Sequence, residues 1–537
     1  MANTFKKVVD RMMWAQVAPA PNAHAAATSM CADMRSDISR NPFAYNLVSN
    51  TVLNRFNFVT KSWQLAVNPG LGGTFGAGST SAFVPSFAAV GTIAAGATTT
   101  SVTLSTALPA AVGVNMLANR GGSGDTGFKL RLIDTTAGKT EERFIIGNTG
   151  GTTPTIRVDN AFTFTPASGA RYELLSGRVF MLGAGTLAAT IFRAFEVATN
   201  SLADRTNTNL AATIGTDSAM LVLDEQYTPF NCEPGEGMIR GAFVYDTNIV
   251  SRRALEATAA AAGTITGQAT GGDAVVAANE YRNFQIRIVA DATTPGAVGQ
   301  RRIIASHTAG PSAVYTLGSN WTTTPSAVAK FVIELPNLLV LRTTANTTTY
   351  VYNYTDAAIN NGTNTIAANA WSTTYVGAAP AANAAGCLWA PSFGIEVDPA
   401  RNARHSFNFF FRGGGATLDL LDIAGGTTGA WTGAIVYDGG VNTFGAGTTG
   451  CYAPYGQEGR FCYINVYVAS QLNQLYRFDA KNRVFSPYTP TDFIQTGTAT
   501  LGGRMAAYAA IDGTDKFDVV LLQSHLSTIA QELIPLV

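Results

Sequence analysis

The residue types that carry most protein chemistry are sparse here and do not fall into working patterns. The four histidines, His24, His307, His405 and His525, form no HExxH or His-x-His arrangement, so no zinc or copper centre is expected. Five cysteines (Cys31, Cys232, Cys387, Cys451 and Cys462) are an odd number without metal-ligand spacing. Cys387 and Cys451 take matching places, one position apart, in a repeat described below. That suits small buried residues made in a reducing cytoplasm better than disulfide partners. No GxSxG elbow is followed by a triad in order. Gly413-Gly-Gly415 follows an aromatic strand, with neither a helix nor GK[ST] behind it. It reads as a hairpin turn, not a phosphate cradle.

Paired carboxylates are the strongest enzymatic signal, because glycosidases place two acids about a scissile bond. Asp419 and Asp422 stand three apart on one strand and so face opposite ways. Asp479, before Ala-Lys-Asn, reads as a turn aspartate, and Glu141-Glu142 sit just before a strand. Asp134 and Asp291 hold matching places ahead of Thr-Thr and read as loop residues, since calcium needs more acids nearby. Nothing converges. The expectation is a non-enzymatic protein with no catalytic, cofactor-binding or metal residues.

The elements that would position any such residues are strands. Leu338-Leu-Val-Leu341, eight polar residues and Tyr350-Val-Tyr-Asn-Tyr354 make one hairpin, and Asn361-Gly362 supplies a tight turn beyond it. The hairpin recurs as Val179-Phe-Met-Leu182 with Ile191-Phe-Arg-Ala-Phe195. Phe407-Asn-Phe-Phe-Phe411 with Leu418-Asp-Leu-Leu-Asp422, and Phe461 onward with Leu475-Tyr-Arg-Phe-Asp479, repeat it again. Strands that are apolar or aromatic on both faces must be buried on both, as in stacked sheets. A second phrase punctuates them: Ala82-Phe-Val-Pro-Ser-Phe87, Leu388-Trp-Ala-Pro-Ser-Phe393, Cys451-Tyr-Ala-Pro-Tyr455 and, loosely, Gln226-Tyr-Thr-Pro-Phe230. Proline cannot donate to a ladder and so ends a strand. The reading is all-β: a β-propeller of about five to seven blades, with a stacked solenoid as the alternative.

Two stretches interrupt the blades and resemble each other, residues 91–174 and 263–335. Phe128-Lys-Leu-Arg-Leu-Ile133 matches Phe284-Gln-Ile-Arg-Ile-Val289, and Arg143-Phe-Ile-Ile146 matches Arg301-Arg-Ile-Ile304. Gly91-Thr-Ile93 matches Gly263-Thr-Ile265, and Phe162 with Pro166 matches Trp321 with Pro325. They are read as one duplicated β-module inserted twice in rim loops, which tolerate insertion. The propeller then occupies residues 51–90, 175–262 and 336–537. Residues 1–50, with weak helical patterns, read as an N-terminal docking arm, and the strand-like stretch 52–67 as the partner that closes the ring.

Composition bounds the partners. Only 13% of residues are charged, 35 basic against 35 acidic, where soluble domains average about 25%. There is no basic stripe for nucleic acid, and Arg252-Arg253 and Arg301-Arg302 read as solvated strand ends. No window of about 18 apolar residues suggests a membrane span. A surface so poor in charge is weakly protected against association, which fits a protein covered in an assembly.

The phrase Gly299-Gln-Arg-Arg-Ile-Ile304, a polar turn, Asn320-Trp-Thr-Thr-Thr-Pro325 and Phe331-Val-Ile333 resembles β-modules of tailed-bacteriophage structural proteins. The low-charge propeller around it is similar to phage nozzle and collar proteins. The resemblance implies a virion component, made in the bacterial cytoplasm, that forms a ring at the neck or tail beside portal, adaptor or tail proteins, with six-fold symmetry favoured. The alternative from another class is a propeller that binds or depolymerises host-surface glycan.

Overall fold

In a computed structural model, strands account for nearly all regular structure. The structure describes the chain outside residues 1–11, 24–28, 36–40, 50–51, 65–74, 76–77, 109–111, 119–127, 184–190, 207, 211–213, 215–217, 228–254, 269–276, 311, 344, 392–406, 440–443, 446, 453–460, 469–470, 481, 488–503, 513–514, 524–527, 529 and 536–537.

Six four-stranded antiparallel sheets form a six-bladed β-propeller. The inner strands Met30–Ala32, Thr80–Val84, Ala219–Leu223, Leu388–Pro391, Thr449–Tyr452 and Arg504–Asp512 contact one another in a closed cycle around the axis. The repeated hairpins are the second and third strands of blades: Arg178–Leu182 with Phe192–Glu196, Leu338–Arg342 with Tyr350–Asn353, Phe407–Phe411 with Leu418–Asp422, and Phe461–Val468 with Gln471–Asp479. Leu338–Arg342 and Phe407–Phe411 are buried at every position, because each is sandwiched between neighbouring blades. The proline phrase has a consistent address at the end of an inner strand. Pro85 follows Thr80–Val84, Pro391 ends Leu388–Pro391, and Gln226-Tyr227 follows Ala219–Leu223. Pro454 and Pro229 lie outside the described residues.

The described part of residues 1–50 is not an arm. Met30–Ala32 and Phe43–Ser49 are the first two strands of the first blade, followed by Val52–Asn57 and Ser62–Gln64. Met12–Gln16 is the outermost strand of the sixth blade, in register from Met12 opposite Pro535 to Gln16 opposite Gln531. The ring is therefore closed by residues 12–16, and the stretch 52–67 belongs within a blade. The helical patterns misled at residues 12–16 and 30–32, where short strands carry apolar residues near a 3.6 period; residues 1–11 and 36–40 lie outside the described residues. Toward the other end of the chain, Ala530–Pro535 is the third strand of the sixth blade.

Each inserted module leaves its blade between the inner and second strands, the first from blade two and the second from blade three. In the second module six strands close a barrel in the order Arg301–His307, Val314–Leu317, Thr264–Gly267, Leu255–Ala261, Lys330–Glu334, Gln285–Ala290 and back. The first follows the same order through Lys139–Asn148, Thr155–Val158, Ser101–Thr103, Ala89–Thr92, Arg171–Leu175 and Lys129–Asp134, with Ser101–Thr103 and Ala89–Thr92 joined by a single bridge between Ile93 and Leu104. A pairing of Lys139 with Ala290 joins the two modules in one sheet.

Register corrects two sequence matches. The second barrel begins at Leu255, not at 263, because its first strand, Leu-Glu-Ala-Thr-Ala-Ala-Ala, has no apolar alternation to announce it. Ile93 corresponds to Ala257, since their N–H groups bond to Ala170 O and Ala329 O respectively, so Gly91 is not the counterpart of Gly263. Arg143 corresponds to Arg302, not Arg301. Arg143 Nε donates to Ala161 O at 3.1 Å while its guanidinium covers Phe162 at 5.0 Å. Arg302 Nε donates to Asn320 O at 2.7 Å and covers Trp321 at 5.5 Å.

Candidate functional site

Among the places where the described residues gather polar groups, two stand at the junctions of the architecture: the joint where both barrels meet the propeller, and the propeller axis.

The joint centres on Arg131, in the middle of the strand Lys129–Asp134 and fully buried. Its Nε donates to Glu142 Oε1 at 2.6 Å and its Nη1 to Glu173 Oε2 at 2.8 Å, and it also pairs with Glu225. Glu225 is a propeller residue, in the single turn after the inner strand Ala219–Leu223. From the second barrel, Arg301 reaches Glu173 at 2.9 Å and Glu225 at 3.2 Å, and Arg287 pairs with Glu334, Nε to Oε2 at 3.1 Å. Gln285 and Asn337 donate to Glu225 Oε2 at 3.2 and 3.1 Å. Burial raises the Glu173 carboxyl, but Arg301 and Arg131 outweigh it and leave the pKa at about 2. Glu225 is likewise held well below the carboxylate range by Arg131, Arg301 and Arg287 against burial. Glu334 shifts upward, because burial and Glu225 exceed the pull of Arg287.

Asp224 borders this joint without a cation of its own. Its Oδ2 accepts from Tyr354 Oη at 2.7 Å and Ser86 N at 3.3 Å, and its Oδ1 from Gln226 N at 2.8 Å. Burial, then the charge of Glu225, push its pKa up to about 6. The sequence signal for the joint is charge inside apolar strands: Arg131 between leucines, Arg287 between isoleucines, Glu334 after Phe-Val-Ile. In a chain so poor in charge, that placement singles them out. The chemistry is of buried ion pairs that hold three parts together.

On the axis, the inner strands surround a cavity of about 190 Å3. Its lining is Ser, Thr, Gly, Ala, Met and Cys with a few larger apolar residues. Arg504 is its charged member, and no carboxylate is among the described lining residues.

The sequence candidates are scattered. Asp419 is buried against Arg412, Nε to Oδ2 at 2.6 Å, and accepts from Ala434 N at 3.0 Å. Asp422 caps its turn through Ala424 N. Asp479 holds Asn482 through N and Nδ2 at 3.1 and 2.7 Å. Asp134 accepts from Thr136, Ala137 and Ala167 N–H groups, and Asp291 from the matching Thr293, Thr294 and Ser326 N–H groups. Glu141 and Glu142 lie within the strand Lys139–Asn148, not before it. Glu141 binds Arg143 at 2.6 Å, and Glu142 is part of the joint. Arg301 and Arg302 are not solvated strand ends, since each is taken up by the contacts already given. Arg252-Arg253 lie outside the described residues.

His307 is a core histidine. Its Nε2 accepts from Tyr281 N at 2.9 Å, its Nδ1 faces Thr308 O at 3.0 Å, and burial lowers its pKa. His24, His405, His525 and Cys232 lie outside the described residues. Cys31, Cys387, Cys451 and Cys462 form no disulfide, and burial pushes the Cys31 and Cys462 thiols up to about 12. Gly413 and Gly414 take φ of 73° and 65° in the hairpin turn after Phe407–Phe411. A Cβ on Gly413 would stand 2.3 Å from Ala385 O. Among the described residues no group of three or more His, Cys, Asp or Glu is placed to hold a metal ion, and no helix is long and apolar enough to cross a membrane.

No family model matches the chain, and no curated protein matches it. Among solved structures it is similar to Sqt1 of Saccharomyces cerevisiae, at 9% identity over 98% of this chain and 100% of that one, with a TM-score of 0.31. An auxiliary nutrient binding protein of Bacteroides thetaiotaomicron gives 8% identity over 84% and 98%, TM-score 0.21. A mutant of the NanB sialidase of Streptococcus pneumoniae gives 9% over 95% and 82%, TM-score 0.23.

Proposed function

We propose that this chain is a structural component of a tailed-phage particle, one subunit of a ring of the nozzle or collar kind at the neck or tail. The observation that carries the reading is the joint at Arg131. Two copies of a small barrel are fixed to each other and to the propeller by buried ion pairs, where a binding or catalytic protein would leave a cleft. Among the described residues that line the axial cavity, Arg504 is the charged one and no pair of acids of the glycosidase kind is present. The sequence resemblance of the barrels to phage modules, and the low surface charge, agree with a subunit covered by neighbours. Its partners are copies of itself, six in a ring, and the portal, adaptor or tail proteins beside it. It is made in the bacterial cytoplasm and retained in the virion.

The test is direct. Antibody raised against the purified chain should label the neck or tail of gradient-purified particles from the producing host, and mass spectrometry should recover the chain from them at about six copies each. Recovery from the soluble lysate alone rejects the reading.

A further inference from the structure

The two barrels share a backbone but not a surface. Residues 113–118 of the first and 277–282 of the second make the same turn, with Asn115 and Asn279 both left-handed at φ 59° and 63°. Asn115 N donates to Asn148 O at 2.8 Å and Asn279 N to His307 O at 3.1 Å. Their side-chain oxygens accept in return from the N–H groups of Asn148 and His307 at 3.3 and 2.9 Å. The strand beside the turn carries a bulge at the same place in both, at Ile146 and at Ala305.

On this common frame the side chains diverge. Ala278, Glu280, Arg282 and Ala305 in the second barrel stand where the first has Val114, Met116, Ala118 and Ile146. The second barrel's bulge is covered by the chain itself. The hairpin of Ile359–Asn360 and Thr365–Ile366 lies so close that a Cβ on Gly318 would stand 2.0 Å from Asn360 O, and one on Gly362 3.0 Å from Ala305 Cβ. The first barrel's face is apolar and open, with Val114, Met116 and Ile146 exposed by 66, 50 and 44%. Duplicated copies drift to polar side chains where water is the neighbour, and an apolar trio on the uncovered copy marks a face that meets protein.

We propose that this face docks on a second copy of the chain and receives Val436 of that copy. Val436 is the most exposed large apolar residue among those described, at 82%. It is also rigidly presented. Ile435 N donates to Leu418 O at 2.7 Å, Tyr437 Oη to Ala416 O at 2.7 Å and Asp438 N to Arg483 O at 2.9 Å, while Ile435 and Tyr437 pack inward. The chain already shows the mode of contact: an uncharged turn seated over this position of a barrel. The Glu280 and Arg282 charges of the second barrel are absent at the matching positions of the first, so fewer ions are desolvated when such a turn arrives, while Arg157, opposite Gly147, stays beside the patch. Patch and knob lie on different parts of the chain, so the contact is heterologous and repeats from copy to copy. The inference rests on the ring reading above and gives that ring its contact.

Sedimentation velocity of the purified full chain over a concentration series tests it. Wild type should sediment faster as concentration rises. Met116→Lys and Val436→Asp, both on exposed side chains and expected to keep the wild-type melting temperature, should each weaken association at least tenfold. An equimolar mixture of the two variants should form dimers and nothing larger, because each pair retains one intact patch and one intact knob. A wild type that stays monomeric, variants that associate like wild type, or a mixture that forms no dimer overturns the proposal. Each of those results leaves the particle-labelling experiment free to succeed or fail by itself.

Discussion

Arg301 of the second barrel grips Glu173 of the first with both terminal nitrogens, Nη2 to Oε2 at 2.9 Å and Nη1 to Oε1 at 3.2 Å. Strand register gives this pair its meaning. Arg131 and Arg287 are counterparts, each opposite the residue that neutralises it or fails to. Glu142 faces Arg131, but Arg301 faces Arg287. The second copy thus reversed the charge at one position. Arg287 turned to Glu334 within its own barrel, and Arg301 was released to cross to the other copy and to Glu225 of the propeller. Together with the carboxylate placed at Glu173 in the first barrel (Val332 in the second) and at Glu334 in the second (Leu175 in the first), this charge reversal makes two duplicates into a joint.

Removing Glu173 should therefore be felt by three elements. Glu173→Ala leaves Arg131 and Arg301 buried with fewer carboxylates, and breaking a buried pair costs about 3–5 kcal/mol. Urea denaturation of the full chain measures it. A loss under about 1 kcal/mol would mean the joint is solvated and the ion pairs idle.

Asp224 should make stability fall as pH rises. Its folded pKa lies near 6 against 3.8 unfolded, so the folded state holds the proton more tightly. The favourable contribution is full below pH 3.8 and is lost as pH climbs through 6. The span amounts to about 3 kcal/mol at 1.36 kcal/mol per pH unit. Geometry provides for both states. Tyr354 Oη lies 2.7 Å from Asp224 Oδ2 and 2.8 Å from Leu223 O, and one phenolic proton serves one of them at a time. When Asp224 is protonated it donates to Tyr354, which turns to Leu223. Asp224→Asn should flatten this part of the curve, read as the difference between variant and wild-type unfolding free energies from pH 4 to 8. Parallel curves would dismiss the proton.

Much of this architecture was written in the sequence, and the gaps have physical causes. Strands buried on both faces betray themselves by unbroken apolar runs, which is why Leu338–Arg342 and Phe407–Phe411 were legible as blade strands. The inner strand Met30–Ala32 has three residues and no period to detect, and ring closure by Met12–Gln16 is a pairing across more than 500 positions that no local pattern encodes. The duplication was visible through Phe-x-x-Arg and Trp/Phe-x-x-x-Pro. Its register was not, because Arg301-Arg302 offers two equivalent arginines and only the partner across the strand distinguishes them. The joint escaped for a related reason: Arg131, Glu173 and Glu225 are far apart in sequence and meet only when two insertions fold onto one blade.

Trp321 and Phe162 give a test of that equivalence. Both are buried under the guanidinium of the corresponding arginine, and Trp321 Nε1 makes no hydrogen bond. Trp321→Ala should cost about 3–5 kcal/mol of stability by thermal or chemical unfolding. Trp321→Phe installs the first barrel's residue, sacrifices no hydrogen bond, and should cost less than about 1.5 kcal/mol. A Phe variant as damaged as the Ala variant would show that the two pockets differ.

Truncation at the N-terminus separates an arm from a closing strand. The sequence suggested that residues 1–50 are dispensable for the propeller. Their strands are instead parts of blades one and six, so removing all of them should abolish folding. The informative deletion is residues 1–17, which takes away the closing strand Met12–Gln16 and leaves the strands of blade one in place. Beyond the ladder, Val17 N bonds to Ala530 O at 3.1 Å, so the cut leaves Ala530–Pro535 as a bare edge. A strand edge that loses its partner exposes unpaired N–H and C=O groups and invites edge-to-edge association. The truncated chain should melt at lower temperature and aggregate in a concentration-dependent way. A synthetic peptide of residues 9–20 added in excess should restore both properties, since it rebuilds the same ladder in trans. A truncated chain with the wild-type melting temperature, indifferent to the peptide, would show that the ring holds without its closing strand.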